Sequence, residues 1–123
     1  MDDASNDGDI ETLEFLKNSK LHLKYSEYAI NSASMYGKVN SLEWWKNSGL
    51  ELKYTENGMN LASVNKKINV LEWWKKSGLP LKYTGDIYTF AQNEEVSNWL
   101  NENLRSEPKN RLFRFYQSKR NQR

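Results

Sequence analysis

The stretch "SLEWWKNSGLELKYTE" fills residues 41–56, and "VLEWWKKSGLPLKYTG" fills residues 70–85, 29 positions further on. Self-similarity at a fixed period is the signature of a repeat architecture, so it has to be settled before any single residue is read. Outward from these two copies the step persists. Leu13, Leu42 and Leu71 keep it, each followed by Glu, and so do Lys24-Tyr25, Lys53-Tyr54 and Lys82-Tyr83. Ala4-Ser5, Ala33-Ser34 and Ala62-Ser63 follow the same step, and Phe15-Leu16 stand where Trp44-Trp45 and Trp73-Trp74 stand. Beyond Tyr83 three residues are missing, and Val96, Trp99 and Leu100 take the places of Val70, Trp73 and Trp74. Two complete units are thus flanked by a first that starts partway through and a shortened last. Met1 aligns with Met59, so the chain is expected to be either a piece of a longer array or an array opening on a truncated cap. The acidic run Asp2, Asp3, Asp7, Asp9 and Glu11 suits a polar capping face, which terminal repeats need.

Each unit predicts two short helices and an extended link. In "SEYAINSASMYG", Ile30 and Ala33 form one apolar stripe, Ser26 is a candidate N-cap, and Gly37 can end the helix with a positive φ. In "VNSLEWWKNSG", Val39, Leu42 and Trp45 share a face, Trp44 lies on another, and Gly49 is a natural stop. "LELKYTE" alternates and reads as extended, and Pro80 at the same place in the next copy would break a helix. No single unit can bury its apolar residues, whereas stacked neighbours can. Stacking predicts that both tryptophans of each pair are buried, as packing between units and not as a ligand cage. The repeated Lys-Tyr pairs predict a ladder along one edge, with Tyr covering the next unit and Lys in water. A basic-aromatic strip for an acidic partner is the functional alternative.

These residues resemble the ankyrin repeat. "AINSASMYGKVNSLEWWKNSGL" supplies Ile30, Ala33, Ser34, Gly37, Val39, Leu42, Trp45 and Gly49 at positions matching that family's helix pair. "MNLASVNKKINVLEWWKKSGL" supplies Met59, Ala62, Ser63, Ile68, Val70, Leu71, Trp74 and Gly78, and the first unit supplies Met1, Ala4, Gly8, Ile10, Leu13 and Leu16. The resemblance spans residues 1 to about 104. The unit is four residues shorter than the family's usual 33, and the loss falls in its β-hairpin finger. Lys66 replaces the turn glycine and Lys20 the last one. The resemblance implies an all-α fold, an ankyrin-like α-solenoid of stacked helix-turn-helix repeats that binds a protein partner. The family's variable exposed positions beside the helix turn fall on Asn6, Asp7, Met35, Tyr36, Val64 and Asn65, and those opening the first helix fall on Glu27 and Glu56.

Composition narrows the function. With 123 residues there is room for one domain with a modest core, and 37% apolar against 28% charged residues favours a layered shape over a large centre. The absence of cysteine excludes disulfides, thiolate metal sites and a thiol nucleophile. His22 is the only histidine, and neither a metal site nor a triad is expected around it. The glycines are scattered as turn residues and form no phosphate loop. No catalytic residue, cofactor, metal or small-molecule substrate is therefore expected. No apolar run approaches the ~20 residues of a membrane span, and the N-terminus is acidic where a secretory signal is basic and apolar. A cytoplasmic protein with no membrane partner is expected, with the nucleus as the other compartment.

Charge divides the chain. Residues 1–104 carry eleven lysines, no arginine and fifteen carboxylates, while residues 105–123 carry five arginines, two lysines and one glutamate. Such a break marks a body, 1–104, and a basic C-terminal extension, 105–123. From Pro108 a short helix is expected to about residue 118, with Leu112, Phe115 and Tyr116 on one face. This segment either caps the stack or contacts a partner. Arg111, Arg114, Phe115, Tyr116, Lys119 and Arg120 are the candidate contacts to nucleic acid or an acidic protein. Non-catalytic binding as a scaffold or adaptor is the expected function. The alternative is an RNA- or ribosome-associated factor anchored by the extension.

Overall fold

The computed structural model describes residues 1–19, 22–89 and 91–104. The described residues form eight helices and no strand. In chain order they are α1 (Asp2–Asp7), α2 (Ile10–Asn18), α3 (Tyr28–Met35), α4 (Val39–Asn47), α5 (Glu56–Val64), α6 (Ile68–Ser77), α7 (Asp86–Thr89) and α8 (Glu94–Asn103).

Local chemistry sets the ends of these helices. Asp9 accepts from the Thr12 N–H at 3.1 Å to start α2, and Asn93 does the same for Val96 at the start of α8. Thr55 accepts from Asn57 at 3.2 Å; at α3 the N-cap position is Glu27 and not the expected Ser26, which lies one residue earlier and accepts from Tyr28 at 3.1 Å. Each satisfies a backbone donor that the helix itself leaves unpaired. Gly8 and Gly37 turn the chain between the two helices of a unit with φ of 73° and 78°, and Gly49 and Gly78 follow the second helices with 79° and 80°. Lys66 takes the same left-handed turn with φ 60°. The link into α5 is extended at Thr55 (φ −130°, ψ −177°).

Two rows result. Helices α1, α3, α5 and α7 pack side by side in sequence, and α2, α4, α6 and α8 form the second row against them. The core lies between and within the rows. Ala29, Ile30 and Ala33 of α3, Leu42 and Trp45 of α4, Met59 and Ala62 of α5, and Val70, Leu71 and Trp74 of α6 are all buried. The pattern closes in the shortened last unit with Ile87, Val96, Trp99 and Leu100.

One expectation needs correction. Trp45 and Trp74 are each 1% exposed, but Trp44 and Trp73 are only half-buried. Consecutive helical residues point about 100° apart, so the partner of each buried tryptophan lies on the flank of its helix. One side of the indole meets its neighbour edge-on, at 5.0 Å for both pairs, and the other reaches solvent.

Candidate interaction surface

The polar residues between units determine which surface is left for a partner. The Trp45 indole N–H donates to the Ser5 hydroxyl at 2.9 Å, and Trp74 donates to Ser34 at 3.0 Å. The hydroxyls of Ser5 and Ser63 donate in turn to the carbonyls of Ala29 and Ile87 in the following unit. On the flank, Trp44 donates to Glu14 at 2.9 Å and Trp73 to Glu43 at 2.7 Å, while Trp99 donates to Glu72. These bonds hold the carboxyls of Glu14 and Glu43 below the usual glutamate range. Asn31 clasps Thr55, its amide donating to the hydroxyl at 2.9 Å and its carbonyl accepting the Thr55 N–H at 3.1 Å. Asn60 clasps Thr84 in the same way. In the first unit Asp2 accepts both the N–H and the hydroxyl of Ser26.

The Lys-Tyr ladder is part of this fabric. Tyr25 lies against Trp45 and Tyr54 against Trp74, with ring centroids 4.8 and 4.7 Å apart. Burial pushes both phenols up. The expectation that the lysines stay in water holds for Lys24 and Lys82, which are exposed, and fails for Lys53, which is half-buried. Lys53 Nζ sits 4.6 Å above the Tyr25 ring and Lys82 Nζ 4.4 Å above Tyr54, and each donates to the carbonyl of the tyrosine it covers. A cation over an aromatic face is attracted by the ring quadrupole, so each lysine joins its link to the one before.

The edge formed by the helix turns is different. Tyr36 and Val64 are 48% and 40% exposed, among the few large apolar side chains that the stack leaves open. Asn65 Nδ2 donates to the Met35 carbonyl at 3.0 Å, which draws the end of α5 against the end of α3 and sets Met35, Tyr36 and Val64 along one edge. Asn65, which the sequence also points to as a partner-reading residue, is exposed on this edge while its amide makes that bond. Glu27 and Glu56 are exposed at the other end of the first-row helices. Asn6 is half-buried and donates to Asp7 at the turn of the first unit. Arg111, Arg114, Phe115, Tyr116, Lys119 and Arg120 lie outside the described residues, as do the expected extension helix and Lys20.

The turns nest into one another. A side chain at Gly37 would come within 3.1 Å of Lys67 Cδ, and one at Gly8 would come within 3.3 Å of Asn40 and 3.5 Å of Lys38. Each lysine stem therefore lies across the turn before it. After the turn at Lys66 the corresponding place belongs to Asn93, which is shorter and is occupied with capping α8. A shallow groove of about 310 Å³ opens there, lined by Ser63, Val64, Lys66, Gln92 and Asn93.

Among the described residues no three metal-ligating side chains come together, and no helix is long and apolar enough to cross a membrane. His22 is exposed in the first link. No family model, curated protein or solved structure matches the chain.

Sequence reasoning missed the glutamate ladder, although its signal is present. Glu14, Glu43 and Glu72 follow the repeated leucines at the same step as the tryptophans they bind.

Proposed function

We propose that this chain is an ankyrin-like α-solenoid that works as a non-catalytic scaffold or adaptor, holding a protein partner along the edge formed by its helix turns. One observation carries this reading. Apart from Phe15, which is 71% exposed, the periodic aromatic side chains at the tryptophan and Lys-Tyr positions pack or bond between neighbours, whereas Tyr36 and Val64 stay exposed on adjacent turns. Scattered surface apolar residues need no explanation. Two aligned on neighbouring repeats, beside an apolar Met35 and a groove, form the start of a docking surface. Repeat folds use such continuous edges to read long partners.

Affinity purification with the intact chain tests it. Tyr36→Ser with Val64→Ser should lose the partner that the wild-type chain retains, while the helical circular-dichroism signal and melting temperature stay within a few degrees. Equal recovery by both forms would refute a role for this edge. Asn65 is left unchanged, because its loss would disturb the contact between α5 and α3.

A further inference from the structure

The outer face of the second helix row carries a feature that the turn edge does not explain. A groove of about 370 Å³ between α2 and α4 is lined by Ile10, Glu14, Asn40, Glu43, Trp44, Asn47 and Ser48. Its apolar wall is Ile10 and the half-buried indole of Trp44, and its rim holds two carboxylates. Both carboxylates are held in the ionised form by tryptophan N–H groups. Their helical neighbours four residues on are neutral amides, Asn18 for Glu14 and Asn47 for Glu43. Lys17 and Lys46 stand on the same two helices, yet neither reaches these carboxylates at ion-pair distance among the described residues.

The next unit shows what fits beside such a carboxylate. Glu72 is the counterpart of Glu43, and Lys76 that of Asn47. Lys76 Nζ lies 3.4 Å from Glu72. Where the repeat supplies its own cation the carboxylate is paired; where it supplies asparagine a Trp-walled groove is left whose described lining holds two anions and no cation, with Lys17 and Lys46 acting on them only at longer range. A guanidinium suits that groove, since its plane can stack on an indole while its N–H groups meet carboxylates.

We propose that the groove between α2 and α4 takes an arginine side chain from residues 105–123 of the same chain. Charge complementarity favours this occupant. All five arginines lie in that segment, against a body with eleven lysines and fifteen carboxylates. Reach permits it. From α8 to α4 is two helix spacings, roughly 20 Å, and Arg111 and Arg114 lie seven and ten residues beyond Leu104, a span of up to about 23–33 Å when extended.

Limited trypsin digestion of the full chain, followed by mass spectrometry, tests the proposal at cleavage after Arg111 and Arg114. The variant Glu14→Gln with Glu43→Gln keeps an acceptor for each indole and removes both charges. Asn47→Lys supplies a competing ammonium, as Lys76 does for Glu72. At low salt both variants should be cut about three- to fivefold faster than wild type, the range expected of an exposed charge contact. Wild type in about 1 M salt, where the screening length is about 3 Å, should match them after correction with the free peptide of residues 105–123. The protection should not depend on protein concentration. Equal cleavage of all three chains overturns the proposal. Protection that grows with concentration overturns it too, by assigning the groove to the extension of a second copy. Circular-dichroism melts confirm that the variants remain folded.

Discussion

Trp74 donates its indole N–H to the hydroxyl of Ser34, forty residues earlier in the chain, at 3.0 Å. Both residues are essentially inaccessible, at 1% and 0% exposure. The large apolar body of each inner tryptophan fills the space between units, and its single polar atom is answered by a serine of the unit before. The same relation joins Trp45 to Ser5. One side chain thereby supplies burial and register together, because a slip of the stack would strand a buried donor.

Ser34→Ala should cost about 1–3 kcal/mol by leaving that donor unsatisfied, a fall of roughly 4–8 °C in melting temperature per kcal/mol for a chain of this size. Adding Trp74→Phe should cost less in the Ser34→Ala background than in wild type, since the orphaned donor is then gone. Additive losses in the thermal melts would show that the bond contributes nothing. Trp45→Ala should cost about 3–5 kcal/mol, as for other buried aromatics.

The clasp between Asn31 and Thr55 ties the first row together through two hydrogen bonds. Asn31 is 8% exposed, so water cannot readily replace its partner. Asn31→Ala should destabilise the chain by about 1–3 kcal/mol. Asn31→Asp should recover part of that loss, because a carboxylate can still accept the Thr55 N–H, as Asp2 accepts that of Ser26. Hydrogen exchange at the Thr55 amide is the direct measurement, and unchanged protection in Asn31→Ala would contradict the assignment.

Much of this packing is legible in the repeat itself. The 29-residue step places Leu42, Trp45, Val70 and Trp74 in one packed layer and Gly37 and Gly49 at left-handed turns, and all of them lie there. Periodicity fails where two adjacent residues of the same kind do different work. Trp44 and Trp45 are indistinguishable by type, and only the three-dimensional stack shows that Glu14 holds the first at the surface and Ser5 the second in the core. Lys53 misleads for a related reason. A lysine in an exposed link is ordinarily solvated, and its place above Tyr25 depends on a ring 28 residues away. The turn-edge candidates divide in the same manner, with Tyr36 and Val64 free and Asn65 tied to Met35.

The glutamate ladder also predicts a pH dependence. Hydrogen bonds from Trp44 and Trp73 lower the folded-state pKa of Glu14 and Glu43. A lowered carboxylate pKa gives stability that is present above the unfolded value, about 4.3 for glutamate, and lost as the pH falls through the folded one. Wild type should therefore lose more of its melting temperature than Glu14→Gln with Glu43→Gln between about pH 6 and about pH 3, straddling the glutamate range. Parallel curves for the two proteins would contradict it.

Lys66 gives the sharpest test of backbone and packing together. It is the one described non-glycine residue with positive φ, at 60°, where Gly8 and Gly37 hold the equivalent turns. The left-handed region costs a residue with a Cβ roughly 1 kcal/mol. Lys66→Gly should accordingly raise stability by about 1 kcal/mol or slightly less, since glycine also gains freedom in the unfolded chain. The reverse exchange is not symmetrical. Gly37→Ala meets both the positive φ of 78° and the Lys67 stem at 3.1 Å, whereas the Lys66 turn is faced by the shorter Asn93. Gly37→Ala should lose more than Lys66→Gly gains. Gly37→Ala combined with Lys67→Ala should recover the part of the loss due to crowding and leave the part due to backbone strain. Denaturant melts of these variants separate the two contributions. A neutral Gly37→Ala would show that the turns are neither strained nor nested.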